Sequence, residues 1–409
     1  MTFERQASSG PLYMFPSAFR RRMTVARELR VLCKRPVVIG FNSIPCAKEV
    51  TMTTRSIRLR IAVLFGGRST EHNASVLSAT NIMQAIEPTK YDAVPVFVTR
   101  EGRWLLSKFE NDTLATPSAG TEVCLVPGGR GRMIAVMPDG SISGAGTIDI
   151  LFPVLHGLHG EDGSVQGLAD VARVPLAGCG ILGSATSLDK EIAKQLLRSA
   201  GLPVARSVTI HMGKTPSLAA LQRELGSPIF IKPARQGSSV GVRKISGTQE
   251  FALALAQGFK HDCKLLAEEF IPGFEIECGV LEDTKGGLFV SRPGQIKASE
   301  SHGFYSYDAK YVDRDGAALT VPAELPEDVE MQIQEAAALA FRALGCDGMA
   351  RVDLFLTANM QFYINEVNTI PGFTSTSMYP KVLAASGVSY REFINRLVEH
   401  GLARAARAT

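Results

Sequence analysis

Residues 361–372, QFYINEVNTIPG, begin as an alternating β-strand and then depart from their own pattern. Phe362 and Ile364 mark an apolar face, because successive side chains of a strand point to opposite sides. Glu366 and Asn368 then occupy positions at which this alternation requires apolar side chains. A carboxylate and an amide at such positions, directly before a Pro-Gly turn, indicate a polar site at the end of a sheet.

The segment ARVDLFL, residues 350–356, predicts a second strand, and the four residues after it suit a hairpin loop. The register that such a loop favours pairs Arg351 with Glu366 and Asp353 with Ile364. Four polar side chains are then expected on one face of the hairpin: Arg351, Asp353, Glu366 and Asn368.

The oxygen ligands of this hairpin predict a magnesium or manganese site rather than a zinc or copper site. The predicted ligands are Asp353, Glu366 and Asn368. Cross-strand diagonal neighbours stand about 7–8 Å apart, so side chains that reach inward can meet on one cation. The alternative is a structural salt bridge between Arg351 and Glu366 on a solvated face. The apolar flanking strand, Asn368 in the same row and the turn that follows favour the metal site.

Magnesium binds few protein carboxylates and several phosphate oxygens, so phosphate-binding residues are expected nearby. The candidates are Lys190, Lys232 and the loop QGSSVG, residues 236–241, whose N–H groups can cover phosphates. A capping box from Thr186 to Asp189 predicts a helix with Lys190 in its first turn. A cation there opposes the helix dipole by about 0.3–1 kcal/mol, which indicates that Lys190 faces an anion.

The remaining patterns predict an α/β protein with several sheets. Residues 60–86 indicate a strand, a glycine turn and a helix, and the strands DAVPVFVT and TIDILFPVLHG complete a layer, with a hairpin-bearing insertion at residues 101–146. SPIFIKPARQGSSVGVRKI predicts a hairpin with a Gly-Ser tip, and KLLAEEFIPGFEIECGVL predicts a strand pair around a Pro-Gly turn. PEDVEMQIQEAAALAFRALG predicts a helix that Gly345 ends.

The composition of the 409-residue chain is that of a globular protein with two or three domains, since 45% of residues are hydrophobic and 21% charged. No apolar run approaches the roughly 18–20 residues that span a bilayer, so no membrane partner is expected. The seven cysteines show no CxxC pair and no shared spacing with histidine. This pattern predicts a reducing, cytoplasmic location and no zinc site.

Residues 1–57 are predicted to be a leader or a wrongly assigned start. Residues 1–60 hold 12 basic and 3 acidic residues, a net charge of +9, which leaves −5 for the rest of a chain whose total is +4. Arg-rich, acidic-poor ends are typical of transit peptides, and Met52 directly precedes the first predicted strand. No aromatic interleaving or known reader motif accompanies the basic residues, so no nucleic-acid partner is expected.

Eight motifs, in order, closely resemble the D-alanine–D-alanine ligases of the ATP-grasp superfamily: LFGGRSTEHNAS, VLHGLHGEDGSVQG, SLDKEIAK, IKPARQGSSVG, EEFIPGFEIE, FYSYDAKY, ARVDLF and INEVNTIPGFTSTSMYP. The resemblance implies a three-domain α/β (α+β) ATP-grasp fold with ATP between two antiparallel sheets. Residues 58–178 then form the N-terminal domain that binds the first D-alanine. Residues 179–268 form the central ATP-grasp subdomain, and residues 269–405 form the C-terminal ATP-grasp subdomain with the metal site and a lid.

The implied reaction joins two D-alanines for peptidoglycan synthesis and converts ATP to ADP and phosphate. The resemblance implies two magnesium (or manganese) ions, one on Asp353 and Glu366 and one on Glu366 and Asn368. The residues implied to contact ATP are Lys190, Lys232, Ser238, Ser239, Glu268, Glu269, Phe270, Ile271, Glu275 and Lys310. In this set the first two lysines hold the phosphates, residues 268–271 line the adenine edge and Glu275 contacts the ribose.

The first D-alanine is implied to place its ammonium by Glu71, with His156 close by, and its carboxylate attacks the γ-phosphate to give an acyl phosphate. Ser238 is implied to hydrogen-bond Glu71 and Tyr311 when the lid closes. The alternative for Glu71 is a carboxylate that only stabilises a helix N-terminus. The glycine turn before it leaves room for a substrate and favours the binding role.

The second D-alanine is implied to rest its carboxylate on Ser377, the Met378 N–H and Lys310. Its amine then attacks the acyl carbon, and Arg351 and the Gly372 N–H stabilise the oxyanion. The resemblance also implies a homodimer, with ATP and D-alanine as small-molecule partners.

Two other functions stay open. A D-alanine–D-lactate ligase uses the same scaffold, and YDAKY around Tyr311 favours the dipeptide ligase. A nucleotide-binding regulator without turnover is disfavoured by the complete set of predicted catalytic and metal-binding residues. The sequence departs from the family pattern at Asn73-Ala74, where Glu-Val is usual, and at Phe274, where arginine is common.

A chain that begins at Met52 is expected to fold and to unfold at the same temperature as the full chain, because the first predicted strand begins after Arg58. Thermal unfolding of the two purified proteins measures this. Loss of folded protein on truncation would show that residues 1–51 belong to the first domain.

Overall fold

The computed structural model describes residues 58–298 and 317–408, so the predicted leader and the motif FYSYDAKY lie outside the described residues. The first strands are β1 (Leu59–Gly66), β2 (Tyr91–Val98), β3 (Trp104–Leu106), β4 (Phe109–Glu110), β5 (Thr113–Leu114), β6 (Glu122–Leu125), β7 (Arg132–Val136), β8 (Ile142–Thr147) and β9 (Ile150–Pro153). Seven of them form a mixed sheet in the order β8-β7-β6-β3-β2-β1-β9, and β4 pairs with β5.

The centre of this sheet is parallel, with β1 between β2 and β9. The residues of β1 from Ile61 onward are all buried, which explains its continuous apolar sequence, because parallel strands are covered on both faces. Three helices accompany the sheet: α1 (His72–Ala85), α2 (Ser164–Val171) and α3 (Ile181–Leu188). The predicted strand-turn-helix unit and the antiparallel insertion are both present.

A four-stranded antiparallel sheet follows. Its elements are α4 (Lys190–Ser199), β10 (Ser207–His211), α5 (Leu218–Leu225), β11 (Ile229–Pro233), β12 (Arg243–Ile245), α6 (Thr248–Gly258) and β13 (Lys264–Glu269). The strand order is β10-β13-β11-β12. The predicted hairpin with a Gly-Ser tip is the β11–β12 pair.

A six-stranded antiparallel sheet completes the fold. Its strands are β14 (Phe274–Glu282), β15 (Leu288–Val290), β16 (Gly294–Ala298), β17 (Ala317–Thr320), β18 (Met349–Leu356) and β19 (Phe362–Asn368). The order is β17-β16-β14-β18-β19, and β15 also pairs with β14. The helices are α7 (Glu327–Ala343), α8 (Met378–Ala385) and α9 (Tyr390–Ala408). The helix predicted from its apolar spacing is α7, which buries Val329, Ile333 and Ala336.

The prediction of a strand pair in KLLAEEFIPGFEIECGVL was wrong. The two strands exist as β13 and β14, but they belong to different sheets. Strand β13 is paired on both edges by β10 and β11, and β14 pairs with β15, β16 and β18. Residues 270–273 therefore carry the chain from one sheet to the other instead of closing a hairpin.

The predicted capping box at Thr186 was also wrong, although α4 does begin at Lys190. The N-cap of α4 is Asp189, whose carboxylate accepts hydrogen bonds from the Glu191 and Ile192 N–H groups. Thr186 lies inside α3, and its hydroxyl donates to backbone carbonyls, including that of Leu344 at 2.6 Å. The reason is that α3 continues to Leu188, so only one residue separates the two helices.

Within the two described ranges, no helix has both the length and the apolar character that crossing a membrane requires. The cysteines of these ranges are free thiols: Cys124, Cys179, Cys263, Cys278 and Cys346.

Candidate active site

The β18–β19 hairpin does not have the predicted register. Asp353 lies opposite Glu366 and Arg351 opposite Asn368, whereas the prediction paired Arg351 with Glu366. The register shifts after Asp353 because Asn365 is an extra residue on β19, which makes a β-bulge. The sequence pattern gave no direct signal of an inserted residue.

The bulge explains the polar residues in QFYINEVNTIPG. Ile364 and Val367 are both buried in the same apolar core, with 0% and 4% exposure, although they are three residues apart. Glu366 and Asn368 consequently face the other side of the sheet from Ile364. The prediction that they replace apolar residues on one face was therefore wrong, since the bulge reverses the alternation.

Arg351 nevertheless organises a row of polar side chains, as expected. Its Nε and Nη2 each lie 2.7 Å from an oxygen of Asp353, and Nε lies 2.9 Å from Glu277 Oε2. Asn368 donates to Asp353 Oδ2 at 2.9 Å. Burial acts to lower the pKa of Arg351, but the attraction of Asp353 and Glu277 outweighs it and raises the pKa. The guanidinium therefore stays charged and fixed in orientation.

Two lysines from the central part of the chain reach this hairpin. Lys190 Nζ lies 3.1 Å from Glu366 Oε2. Lys232 Nζ donates to Glu268 Oε1 at 2.8 Å and to Asn365 Oδ1 at 3.3 Å. These contacts join the four-stranded and six-stranded sheets, and we call the region lined by these five side chains the sheet cleft.

Adjacent residues at the end of β13 point to opposite faces, and only one of them enters the sheet cleft. Glu268 is buried against Lys232. The Glu269 carboxylate instead accepts hydrogen bonds from the Arg206 N–H and Nε, both at 2.6 Å. The structure thus brings Glu268 to the predicted ATP site and leaves only the backbone of Glu269 available to it.

The residues after β13 form the connection between the two antiparallel sheets. The centroids of the Phe270 and Phe230 rings lie 6.0 Å apart. Lys244 Nζ lies 4.5 Å from the centroid of the Phe270 ring. Ile271 is half-buried in the same connection between the sheets. Glu275 lies on β14, two residues before Glu277 and on the same face.

The Gly-Ser tip between β11 and β12 reaches the first turn of α1. Ser238 Oγ donates a hydrogen bond to Glu71 Oε1, and both Ser238 and Ser239 have positive φ angles, 50° and 58°. A Cβ at Gly237 would lie 2.7 Å from Glu71 Oε2, so a larger residue there would displace the Glu71 carboxylate. The Glu71 side chain makes no capping hydrogen bond to α1, which disfavours the alternative of a purely helix-stabilising carboxylate.

His156 is buried beside Glu71. Its Nδ1 donates to the Ile370 carbonyl at 2.9 Å, and its Nε2 lies 3.0 Å from Ser78 Oγ. Glu161 Oε1 lies 3.6 Å from Nδ1. Burial acts to lower the pKa of His156, but hydrogen bonding and attraction by Glu161 outweigh it and raise the pKa. Burial also raises the pKa of Glu161.

The loop from β19 to α8 is folded tightly against α1. The Phe373 N–H donates to Ser78 Oγ at 3.2 Å, so one hydroxyl contacts both this loop and the histidine. A Cβ at Gly372 would lie 2.6 Å from Ser377 Oγ, so a larger residue there would displace the Ser377 hydroxyl. Ser377 is the N-cap of α8, and Met378 is its buried first residue.

The donor set of the hairpin fits magnesium. In the described ranges no group of three or more His, Cys, Asp or Glu side chains could hold a metal ion. The predicted set instead offers two carboxylates on directly opposed residues, Asp353 and Glu366, and the amide of Asn368. Magnesium binds through one or two carboxylates and completes its coordination with water and phosphate. Lys310 and Tyr311 lie outside the described residues, so their roles stay predictions.

Sequence reasoning missed four residues of this region. Glu277 binds Arg351, Glu161 binds His156, Asn365 binds Lys232, and Lys194 lies 2.9 Å from Glu268. Two signals were readable: FEIEC alternates carboxylates with apolar residues, and DKEIAK repeats a lysine four residues after the first. The partner of each carboxylate depends on the tertiary fold.

Comparison with known proteins agrees with this geometry. Residues 60–179 match the family described as D-ala D-ala ligase N-terminus, and residues 196–399 match D-ala D-ala ligase C-terminus. The D-alanine--D-alanine ligase A of Brucella suis biovar 1 (strain 1330) is 65% identical over 347 residues, which cover 85% of this chain and 98% of that relative.

Two solved structures are also similar. The D-alanine-D-alanine ligase from Coxiella burnetii has a TM-score of 0.73 at 32% identity, covering 86% of this chain and 96% of that chain. The VanG D-Ala:D-Ser ligase from Enterococcus faecalis has a TM-score of 0.71 at 35% identity, covering 84% and 99%.

Two antiparallel sheets that meet across a cleft of lysines and carboxylates, beside a mixed α/β layer, define an ATP-grasp enzyme of the ATP-dependent ligase class. The chain belongs to the D-alanine–D-alanine ligase family.

Glu161→Gln is expected to lower the pKa of His156. Glu161 supplies the main attractions that raise this pKa, and without them burial disfavours the charged imidazolium. In the unaltered protein His156 therefore keeps its proton to a higher pH than an ordinary histidine. A titration of the imidazole by NMR measures the shift. Glu110→Gln, at an exposed position on β4, is the control. An unchanged His156 titration in Glu161→Gln would contradict the ion pair.

Proposed function

We propose that this chain joins two D-alanine molecules into D-alanyl-D-alanine, with conversion of ATP to ADP and phosphate, for peptidoglycan synthesis. The sheet cleft carries this proposal, because Lys190 of α4 meets Glu366 of the six-stranded sheet and Lys232 of the four-stranded sheet donates to Asn365 beside it. Such an arrangement suits a polyphosphate and its counter-ions, since both signs of charge are needed there.

ATP is proposed to lie in the sheet cleft. Lys190 and Lys232 hold its phosphates, and the Ser238-Ser239 tip covers them with backbone N–H groups. Residues 268–271 line the adenine edge, with Phe270 and Phe230 offering ring surfaces, and Glu275 contacts the ribose. Because the Glu269 carboxylate is tied to Arg206, its contribution is a backbone group.

Asp353, Glu366 and Asn368 would hold two magnesium or manganese ions, which neutralise phosphate charge and polarise the γ-phosphoryl group when bound. Arg351 keeps Asp353 oriented through its two hydrogen bonds. The protein thus presents fixed oxygens before any ligand arrives, which lowers the cost of organising the site.

The first D-alanine is proposed to bind where the N-terminal domain meets the Gly-Ser tip. Glu71 accepts its ammonium and is itself held by Ser238. His156 lies beside this position, and hydrogen bonding and attraction by Glu161 favour its charged form by raising its pKa. The substrate carboxylate attacks the γ-phosphate, and the product of that step is an acyl phosphate with ADP as leaving group.

The second D-alanine is proposed to bind its carboxylate at Ser377, the Met378 N–H and Lys310. Its amine attacks the acyl carbon and expels phosphate. Arg351 and the Gly372 N–H stabilise the oxyanion, a role whose loss typically costs about 2.7–4 kcal/mol of barrier. Tyr311 is proposed to close the lid over the intermediate by hydrogen-bonding Ser238, which excludes water.

The remaining predictions are part of this proposal. The three domains are residues 58–178, 179–268 and 269–405, and the enzyme acts in the cytoplasm as a homodimer. Domains that contribute separate parts of one site suit a reaction in which substrates must be enclosed before phosphoryl transfer.

ADP release with D-alanine, L-alanine, D-serine and D-lactate tests the reaction. We expect ADP release when D-alanine is the sole amino acid supplied, with one molecule of dipeptide formed for each ADP. D-Serine is included because one similar structure is a D-Ala:D-Ser ligase. If turnover requires D-lactate or D-serine together with D-alanine, that compound and not a second D-alanine is the second substrate. ATP binding without any ADP release would favour a nucleotide-binding regulator.

Glu366→Gln is expected to lower turnover by about 100-fold or more, because the shared anionic ligand of both ions is lost. The rate of ADP release in saturating D-alanine and magnesium measures this. Glu392→Gln removes a carboxylate from a surface ion pair with Arg396 and should retain full turnover. Near-normal activity of Glu366→Gln would reject the hairpin metal site.

A further inference from the structure

Lys194 is a buried cation that none of the proposed catalytic steps uses. It lies on α4, four residues after Lys190, and its side chain is 1% exposed. Its Nζ lies 2.9 Å from Glu268 Oε2 and makes no hydrogen bond to any other residue of the described ranges. Burying an ammonium carries a large desolvation penalty, so a lysine committed to one carboxylate indicates a specific purpose.

Glu268 is shared between two lysines. Lys232 binds Oε1 at 2.8 Å and Lys194 lies 2.9 Å from Oε2, which gives this buried group a net charge of +1. Burial acts to raise the pKa of Glu268, but the attraction of Lys194 and Lys232 outweighs it and lowers the pKa. Burial lowers the pKa of Lys194 to about 8 despite the attraction of Glu268.

The two lysines differ in where else they reach. Lys232 also donates to Asn365 at 3.3 Å, across the sheet cleft, whereas Lys194 has Glu268 as its ion-pair partner among the residues that the structure describes. If Glu268 had only Lys232 as a counter-ion, the pair would be isolated in a medium of low dielectric and would hold together strongly. A second cation weakens that attraction and leaves Lys232 able to turn toward a phosphate.

We propose that Lys194 is a positioning residue for ATP, the second counter-ion of Glu268 that frees Lys232 to bind the phosphates. The inference rests on the proposed function, since it uses Lys232 as a phosphate ligand. It acts on ATP binding through Lys232 and Glu268, without contact between Lys194 and the nucleotide. The amino-acid sites are separate from this cluster, so D-alanine binding is unaffected.

The test is Lys194→Met in the full chain, which keeps the side-chain volume and removes the charge. We expect the KM for ATP to rise about 10- to 100-fold, the range that loss of a charge-assisted interaction typically produces. The kcat and the KM for D-alanine should stay within about twofold of the unaltered protein. Lys194→Arg keeps a cation at this position, so its KM for ATP should lie close to that of the unaltered protein.

Arg198→Met is the matched control on the same helix. Arg198 lies one turn further along α4 and donates to the Ala205 carbonyl and Ser207 Oγ, at 3.1 and 3.3 Å. Its loss removes a cation near the cluster without removing the partner of Glu268. The KM for ATP should be unchanged in this variant.

Three outcomes would overturn the inference: an unchanged KM for ATP in Lys194→Met, an equal fall in kcat and in affinity for both substrates, or no recovery in Lys194→Arg. If Lys194→Met does not fold, Lys194→Gln, with a neutral polar head group, carries the test. Calorimetric binding of a non-hydrolysable ATP analogue separates this inference from the proposed reaction. Weaker analogue binding in Lys194→Met supports it even where D-alanine gives no ADP.

Discussion

One backbone irregularity, the β-bulge at Asn365, determines how the candidate site is built. Before the bulge, β19 buries Ile364; after it, the strand buries Val367, and both lie in the core between α7 and the sheet. The extra residue turns Glu366 and Asn368 to the opposite face, beside Asp353. A regular strand cannot satisfy both demands, because a shift of one residue exchanges the two faces. Asn365 itself then faces Lys232.

The bulge brings Glu366 beside charges from other elements in a poorly solvated region, where oppositely charged groups lie in contact. Arg351 lies between Asp353 and Glu277, Lys190 contacts Glu366, and Lys232 contacts Glu268. Removing one member of such a buried pair is costly because its partner is left without compensation. These pairs also keep cations and anions at fixed positions, which is the condition for electrostatic stabilisation of a transition state.

Much of this arrangement was predictable from sequence, for physical reasons. The identity of the polar row followed from residue type and strand position, since Arg351, Asp353, Glu366 and Asn368 cannot all face an apolar core. The register did not follow, because a bulge depends on how β19 packs against α7. The prediction of a strand pair in KLLAEEFIPGFEIECGVL was wrong for a similar reason. A Pro-Gly turn indicates a change of chain direction, and tertiary packing decides which sheet the next strand joins.

The parts of the site that lie far apart in sequence are joined by small polar groups. Ser78 on α1 contacts His156 and the Phe373 N–H, and Ser238 contacts Glu71 across 167 residues of sequence. Hydroxyl groups suit this purpose because each both donates and accepts, so one side chain can fix two neighbours. A short hydroxyl side chain has little rotational freedom to lose, so these contacts order loops at small entropic cost. These hydroxyl hydrogen bonds therefore hold residues from separate helices and loops together at the candidate site, while each element packs in its own apolar core.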